Sequence, residues 1–219
     1  MPSARDNILA RLRAAPAAHG PKPAEDFTTV SAKGWTPEEQ LARLRRIMES
    51  VHTEFLDARG ADWVAALHVW MIDQGVPSLL YAPATSVGQT LVASWPMVGP
   101  RLTPYDRTMG EWKADLFAGE GAGITGTNGA IAFTGSLILS TGPDEPRTLS
   151  LVPPVHIAVF NINQIYDTML EAMQDQNWTA AMPTNMLLIS GPSKTADIEQ
   201  VLAYGVHGPK RLLVVLTDH

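Results

Sequence analysis

The chain predicts an α/β fold, a layered and largely parallel sheet with helices on both faces. Three observations carry that expectation. In the second half, short apolar runs alternate with helically spaced segments, the pattern of strand and crossover helix. Residues 119–143, GEGAGITGTNGAIAFTGSLILSTGP, set glycines densely between short β-prone runs, which marks tight turns and close backbone approach. Residues 190–209, SGPSKTADIEQVLAYGVHGP, lie between the apolar runs 186–189 and 212–216, and read as sharp loop, short helix and Gly-Pro stop between two strands.

Each element has its own signal. Residues 4–14 form an amphipathic pattern with Ile8, Leu9 and Leu12 on one side, and the Pro/Ala-rich stretch 15–26 reads as a linker, so residues 1–26 stand apart from a body at 27–219. A helix opens at Thr36, where Thr36 and Glu39 spell a capping box and Pro37 takes the first helical position. Leu41, Leu44 and Met48 supply its apolar face, and a break is expected near Ser50. A second helix covers 61–74, with Trp63, Leu67, Trp70 and Met71 at helical spacing and Gly75 at its end. Between Pro77 and Pro83 sits a short strand, 78–81, followed by a brief helix over 85–94 and a weaker strand over 97–103. Strands are expected near 122–125, 129–133, 136–140 and 155–160, and a helix over 164–173 with Ile165, Met169 and Ala172 inward.

Composition narrows the function classes. At 219 residues the chain can build one sizeable core, burying roughly 70% of its extended surface. A net charge of −6 argues against a nucleic-acid partner. There is no cysteine, which excludes disulfides, thiolate catalysis and cysteine-ligated clusters within this chain. No apolar run approaches the roughly 18 residues of a membrane span, and Arg5, Arg11 and Arg13 interrupt any signal-peptide block, so a cytoplasmic location is expected. The six histidines do not cluster at metal-ligand spacing, and no metal is expected.

Three places attract attention as ligand sites. In Gly191-Pro192-Ser193-Lys194-Thr195, backbone N–H groups, two hydroxyls and Lys194 at a helix start would hold a small anion; equally, Ser193 or Thr195 is simply an N-cap, with Asp197 and Glu199 favoured in the first turn. The Thr134-Gly135-Ser136 turn, with Thr125, Gly126 and Asn128 close in sequence, reads either as a shallow polar pocket or as a hairpin turn. Arg147 is suited to a bidentate grip on a carboxylate, or pairs with Asp144 or Glu145 as a surface arginine.

Five motifs in order, GITG (123–126), AIA-x-TGS (130–136), RTLSLVPPVHIAV (147–159), SGPSKTADIE (190–199) and GVHGP (205–209), resemble the LUD domain family, and within it the lactate utilization protein C branch. The resemblance implies the fold of ribose-5-phosphate isomerase, glucosamine-6-phosphate deaminase and the CoA transferases (the NagB/RpiA/CoA transferase-like fold). It also implies a role as subunit or accessory protein in oxidation of L-lactate to pyruvate, beside partner proteins that carry the iron–sulfur clusters. No cofactor is then expected in this chain itself, and a homo-oligomer is compatible with the pattern. Two positions depart from the family: Asn128 stands where Asp is usual, and Phe133 where Glu is usual. An activity built on that Glu is expected to be absent. An independent enzyme acting on a sugar phosphate or acyl-CoA is the alternative; it would have to recruit Glu120 as its carboxylate. A module that docks partners through its N-terminal helix is a third.

Overall fold

The computed structural model describes residues 3–14, 26–28, 30–107, 110–111, 119, 121–181, 185–196 and 202–218; Glu120, most of the linker, Asp197 and Glu199 lie outside the described residues. Its frame is a six-stranded, wholly parallel sheet in the order β1 (Glu54–Asp57), β12 (Arg211–Thr217), β7 (Val155–Asn161), β4 (Ala122–Thr125), β2 (Ser78–Tyr81) and β3 (Arg101–Pro104). The two seven-residue strands β12 and β7 are central, buried on both faces, and therefore almost continuously apolar.

Alternation along these strands divides the core in two. On one face Leu79, Tyr81, Ile124, Ile157, Leu213 and Val215 pack against α3 (Trp63–Asp73) and α4 (Ser86–Ser94). On the other, Ala158, Phe160, Leu212, Val214 and Leu216 meet Leu44 and Met48 of α2 (Pro37–Glu49) and Leu137 and Leu139 of a second sheet. That sheet has the order β8 (Ile165–Tyr166), β5 (Ala130–Ile131), β6 (Ser136–Ser140) and β9 (Met186–Ile189). Its far side is covered by α6 (Met169–Asp175) and α7 (Trp178–Ala181), through Ala172 and Trp178 against Ile131 and Ile138. Helices thus flank the sheets on both sides.

The helix starts are chemically explicit. Thr36 and Glu39 form the capping box reciprocally, with Pro37 at N1, and the helix ends at Ser50. Asp62 caps α3, and Thr85 caps α4. At β4, a Cβ on Gly123 would collide with the Leu149 carbonyl and Pro153, because α5 (Thr148–Leu151) lies directly on that strand. The glycine of the GITG motif is a packing requirement.

Two expectations need correction. Residues 194–196 and 202–204 are not helical: β10 (Lys194–Ala196) and β11 (Leu202–Tyr204) pair antiparallel, Lys194 opposite Tyr204. The Ser/Thr/Asp/Glu signal that favours a helix start is overridden by that pairing. The helix expected from 164 begins at Met169, capped by Thr168, because Ile165 and Tyr166 add a parallel strand to β5; Met169 itself is exposed. Arg147 immediately precedes the short helix α5. In α1 (Ala4–Ala14) no residue is buried; Ile8 and Leu12 of its apolar side are exposed and Leu9 is half-buried.

Candidate functional site

Folding joins two of the three sequence candidates. The Thr134-Gly135-Ser136 turn connects β5 to β6, and the Ser190–Thr195 loop leaves β9, the antiparallel neighbour of β6. Thr134 Oγ1 lies 2.9 Å from Ser136 Oγ, and Ser136 Oγ 2.7 Å from Ser190 Oγ. This hydroxyl chain runs from exposed Thr134, through buried Ser136, back out to exposed Ser190. Gly135 holds the turn with φ +65°, and a Cβ there would meet Ile47 of α2. On the other side, a Cβ on Gly191 would stand 2.7 Å from Val51 Cγ2 and 3.7 Å from Thr53 Oγ1, so the loop rests on the α2–β1 corner. Thr53 Oγ1 is buried without a hydrogen-bond partner.

The rest of the loop is tied down by main chain rather than opened towards a ligand. Ser193 N–H donates to the Pro209 carbonyl at 2.8 Å, and Gly205 N–H to the Ser193 carbonyl at 2.9 Å. The SGPS and GVHGP motifs are therefore two halves of one closed structure. Pro192, Ser193 and Thr195 are half-buried, Lys194 is exposed and begins a strand, and among the described residues no helix N-terminus backs the loop.

Thr125 and Gly126 end β4, at the carboxyl edge where ligands of parallel sheets usually sit. Thr125 Oγ1 is 2.9 Å from His156 Nε2, inside the protein. Complete burial depresses His156 to about 3, so its ring stays neutral, and its Nδ1 lacks a hydrogen-bond partner. Gly126 N–H donates to Glu145 Oε1 at 2.9 Å. Burial without a cationic partner pushes this carboxyl up to about 6, the Gly126 hydrogen bond opposing the shift. In the sequence Glu145 reads only as a salt-bridge partner for Arg147. The Pro143–Pro146 bracket signals a stiff loop but gives no direction for its side chains. Ser190 and Thr53 were also invisible, since their relevance comes from long-range neighbours.

Asn128 serves the hairpin. Its Oδ1 accepts from Ser140 N–H at 2.8 Å, its own N–H donates to the Ile138 carbonyl at 2.7 Å, and its carbonyl accepts from Gln176 Nε2 at 2.6 Å. It borders a depression of about 440 Å³ with Tyr166, Asp175 and Trp178. Phe133 is 40% exposed and stacks on Trp35 at 6.4 Å between centroids. The Arg43 guanidinium lies 4.7 Å from the Trp35 ring and 5.5 Å from Phe133, and Lys33 Nζ also 5.5 Å from Phe133. Behind this face, burial works to raise the Asp167 carboxyl, but hydrogen bonds from Gln40 and the backbone N–H groups of Lys33, Gly34 and Trp35 prevail and hold it low. Arg147 is separate from all of these, in a depression near Tyr105. Among the described residues, no group of three or more His, Cys, Asp or Glu is placed to hold a metal, and no helix is long and apolar enough to cross a membrane.

This α/β architecture and its order of turns coincide with a known family. The LUD domain model matches residues 41–217, and the chain belongs to that family. Among its relatives is an uncharacterized protein of Neisseria meningitidis serogroup B, 38% identical over 99% of this chain and 95% of its own length. Lactate utilization protein C of Geobacillus thermodenitrificans is 26% identical over 97% of this chain and 94% of its own length, and that of Bacillus subtilis 26% identical over 85% and 81%. The crystal structure of a DUF162 family protein from Deinococcus radiodurans superposes with a TM-score of 0.61, at 21% identity, over 84% of this chain and 99% of that one, which shows the fold.

Proposed function

We propose that this chain is a component of a lactate-utilization system, acting as a subunit or accessory protein in oxidation of L-lactate to pyruvate. The observation that carries the reading is the alignment with lactate utilization protein C over nearly the whole of both chains. The residue chemistry supports a non-redox role. Oxidising a 2-hydroxy acid to a 2-oxo acid removes two electrons and two protons, and a chain without cysteine has no thiolates to ligate a cluster that would carry the electrons. In this reading iron–sulfur partner proteins carry the electrons, and this chain contributes by binding them or a small anion.

The alternative enzyme on a sugar phosphate or acyl-CoA is not favoured. Phe133 has no acid–base capacity and is engaged with Trp35, while Asn128 is occupied in closing the β5–β6 hairpin. Size-exclusion chromatography with light scattering, on this protein mixed with the two cluster-bearing proteins of its own organism, tests the proposal. Co-elution in a defined stoichiometry is expected. Separate elution at micromolar concentrations, with lactate turnover unchanged by the addition, contradicts it.

A further inference from the structure

The loop from Thr141 to Thr148 sends its two principal charges in opposite directions. Glu145 turns inward onto the Gly126 N–H at the end of β4. Arg147, two residues on, is exposed, lines a depression of about 400 Å³, and forms no ion pair with a described residue. The expected pairing of Arg147 with Asp144 or Glu145 does not form. Arg147, beside two acids in sequence, lines this hollow and pairs with neither of them.

The hollow has a definite make-up. Tyr105 follows directly on β3, at the carboxyl edge of the parallel sheet, where ligands of such sheets usually sit. The Thr148 hydroxyl donates to the Tyr105 phenol oxygen at 3.1 Å, fixing both side chains on the wall. Thr141 and Asn185 close the far side, joined by Thr141 N–H and hydroxyl bonds to the Asn185 carbonyl, both at 3.3 Å. Tyr105 and Pro146 make much of the wall apolar. A volume of 400 Å³ falls within the range of roughly 300–1,000 Å³ of small-molecule sites, which combine apolar walls with a few placed polar groups.

We propose that this hollow binds a small organic carboxylate, its two oxygens on the Arg147 guanidinium and its short apolar portion against Tyr105 and Pro146. Carboxylate suits the planar fork of one arginine. A phosphate dianion would bring twice the charge to a site with a single cation, in a protein of net charge −6. The choice of L-lactate and pyruvate as the acids of interest rests on the function proposed above; the carboxylate chemistry of the site does not.

Isothermal titration of the full chain with propionate, L-lactate and pyruvate provides the test, with propionamide and inorganic phosphate as controls. Saturable one-to-one binding of the acids is expected, with no binding of the amide. Arg147→Ala should weaken acid binding at least tenfold, Arg147→Lys less, and neither should shift the urea midpoint, since Arg147 is exposed. No acid binding, equal binding of propionamide, or less than a tenfold loss in Arg147→Ala overturns the proposal. Propionate binding with lactate and pyruvate excluded keeps the carboxylate site but detaches it from lactate chemistry. Absence of all binding, with complex formation by the partner proteins intact, removes the site and leaves the functional reading standing.

Discussion

Glu145 is a half-buried carboxylate with one N–H donor and no ion pair among the described residues, and its energetics follow from that. Its folded value near 6 lies above the ordinary 4.5, so burial favours the protonated form. The stability contributed by that protonated form is fully present below pH 4.5 and is lost as pH rises through about 6. Full ionisation costs about 2 kcal/mol, at roughly 1.4 kcal/mol per pKa unit. Glu145→Gln keeps an acceptor for Gly126 N–H and cannot ionise. Urea unfolding at pH 8 should therefore show the variant about 2 kcal/mol more stable than the parent, and the two nearly equal at pH 4. A difference that does not change with pH would show that Glu145 is solvated. His156 works the other way, because its depressed value removes stability as pH falls below 6.5. Neither residue's state was legible from sequence, since a side chain's burial is decided by strands and loops far along the chain. Residue types were informative where the partner is local, as in the Thr36–Glu39 capping box.

Local signals also explain which elements were legible. Helices α2, α3 and α4 begin with a side-chain cap; the starts of α2 and α4 are readable from Thr36 and Thr85, while the reading of 61–74 put Asp62, the cap of α3, inside the helix. The β10–β11 hairpin has no such signal. Lys194, Thr195 and Ala196 become strand because they pair with residues 202–204, and just before them Ser193 donates its N–H to the Pro209 carbonyl and accepts from Gly205 N–H. The β5–β6 turn is the element on which the joined candidate site depends. Gly135 sits there in the left-handed region, and an added methyl would stand 2.5 Å from Ile47 Cγ2 and 2.7 Å from Ile47 Cβ. Gly135→Ala should cost about 1–3 kcal/mol through this overlap and the unfavourable φ. Loss of urea stability, together with broadened amide signals for Ser136 and Ser190, is the expected readout. An unchanged stability would mean that the turn adapts freely and does not fix the Ser136–Ser190 contact.

For the molecule as a whole, the layered order is the physical result of two sheets that each need both faces covered. The central parallel strands are apolar on both sides, so α3 and α4 cover one face and α2 with the second sheet the other. That arrangement was legible in the alternation of strands and helices, whereas the division of the strands between two sheets was not, because pairing partners are not encoded in local pattern. What the fold presents outward is a body of net charge −6 carrying one aromatic and cationic face at Trp35, Phe133, Arg43 and Lys33, and a separate arginine-lined hollow. In the function proposed above, the face is available to a partner and the hollow to a small acid, while other chains move the electrons. Dye-coupled oxidation of L-lactate by the two iron–sulfur partner proteins, assayed with and without this protein at equal concentrations, tests that central claim most directly. Pyruvate formation is expected to rise on addition of the chain and to saturate at a fixed ratio to its partners. A rate unaltered at every ratio, with all three proteins folded and the clusters loaded, would contradict it.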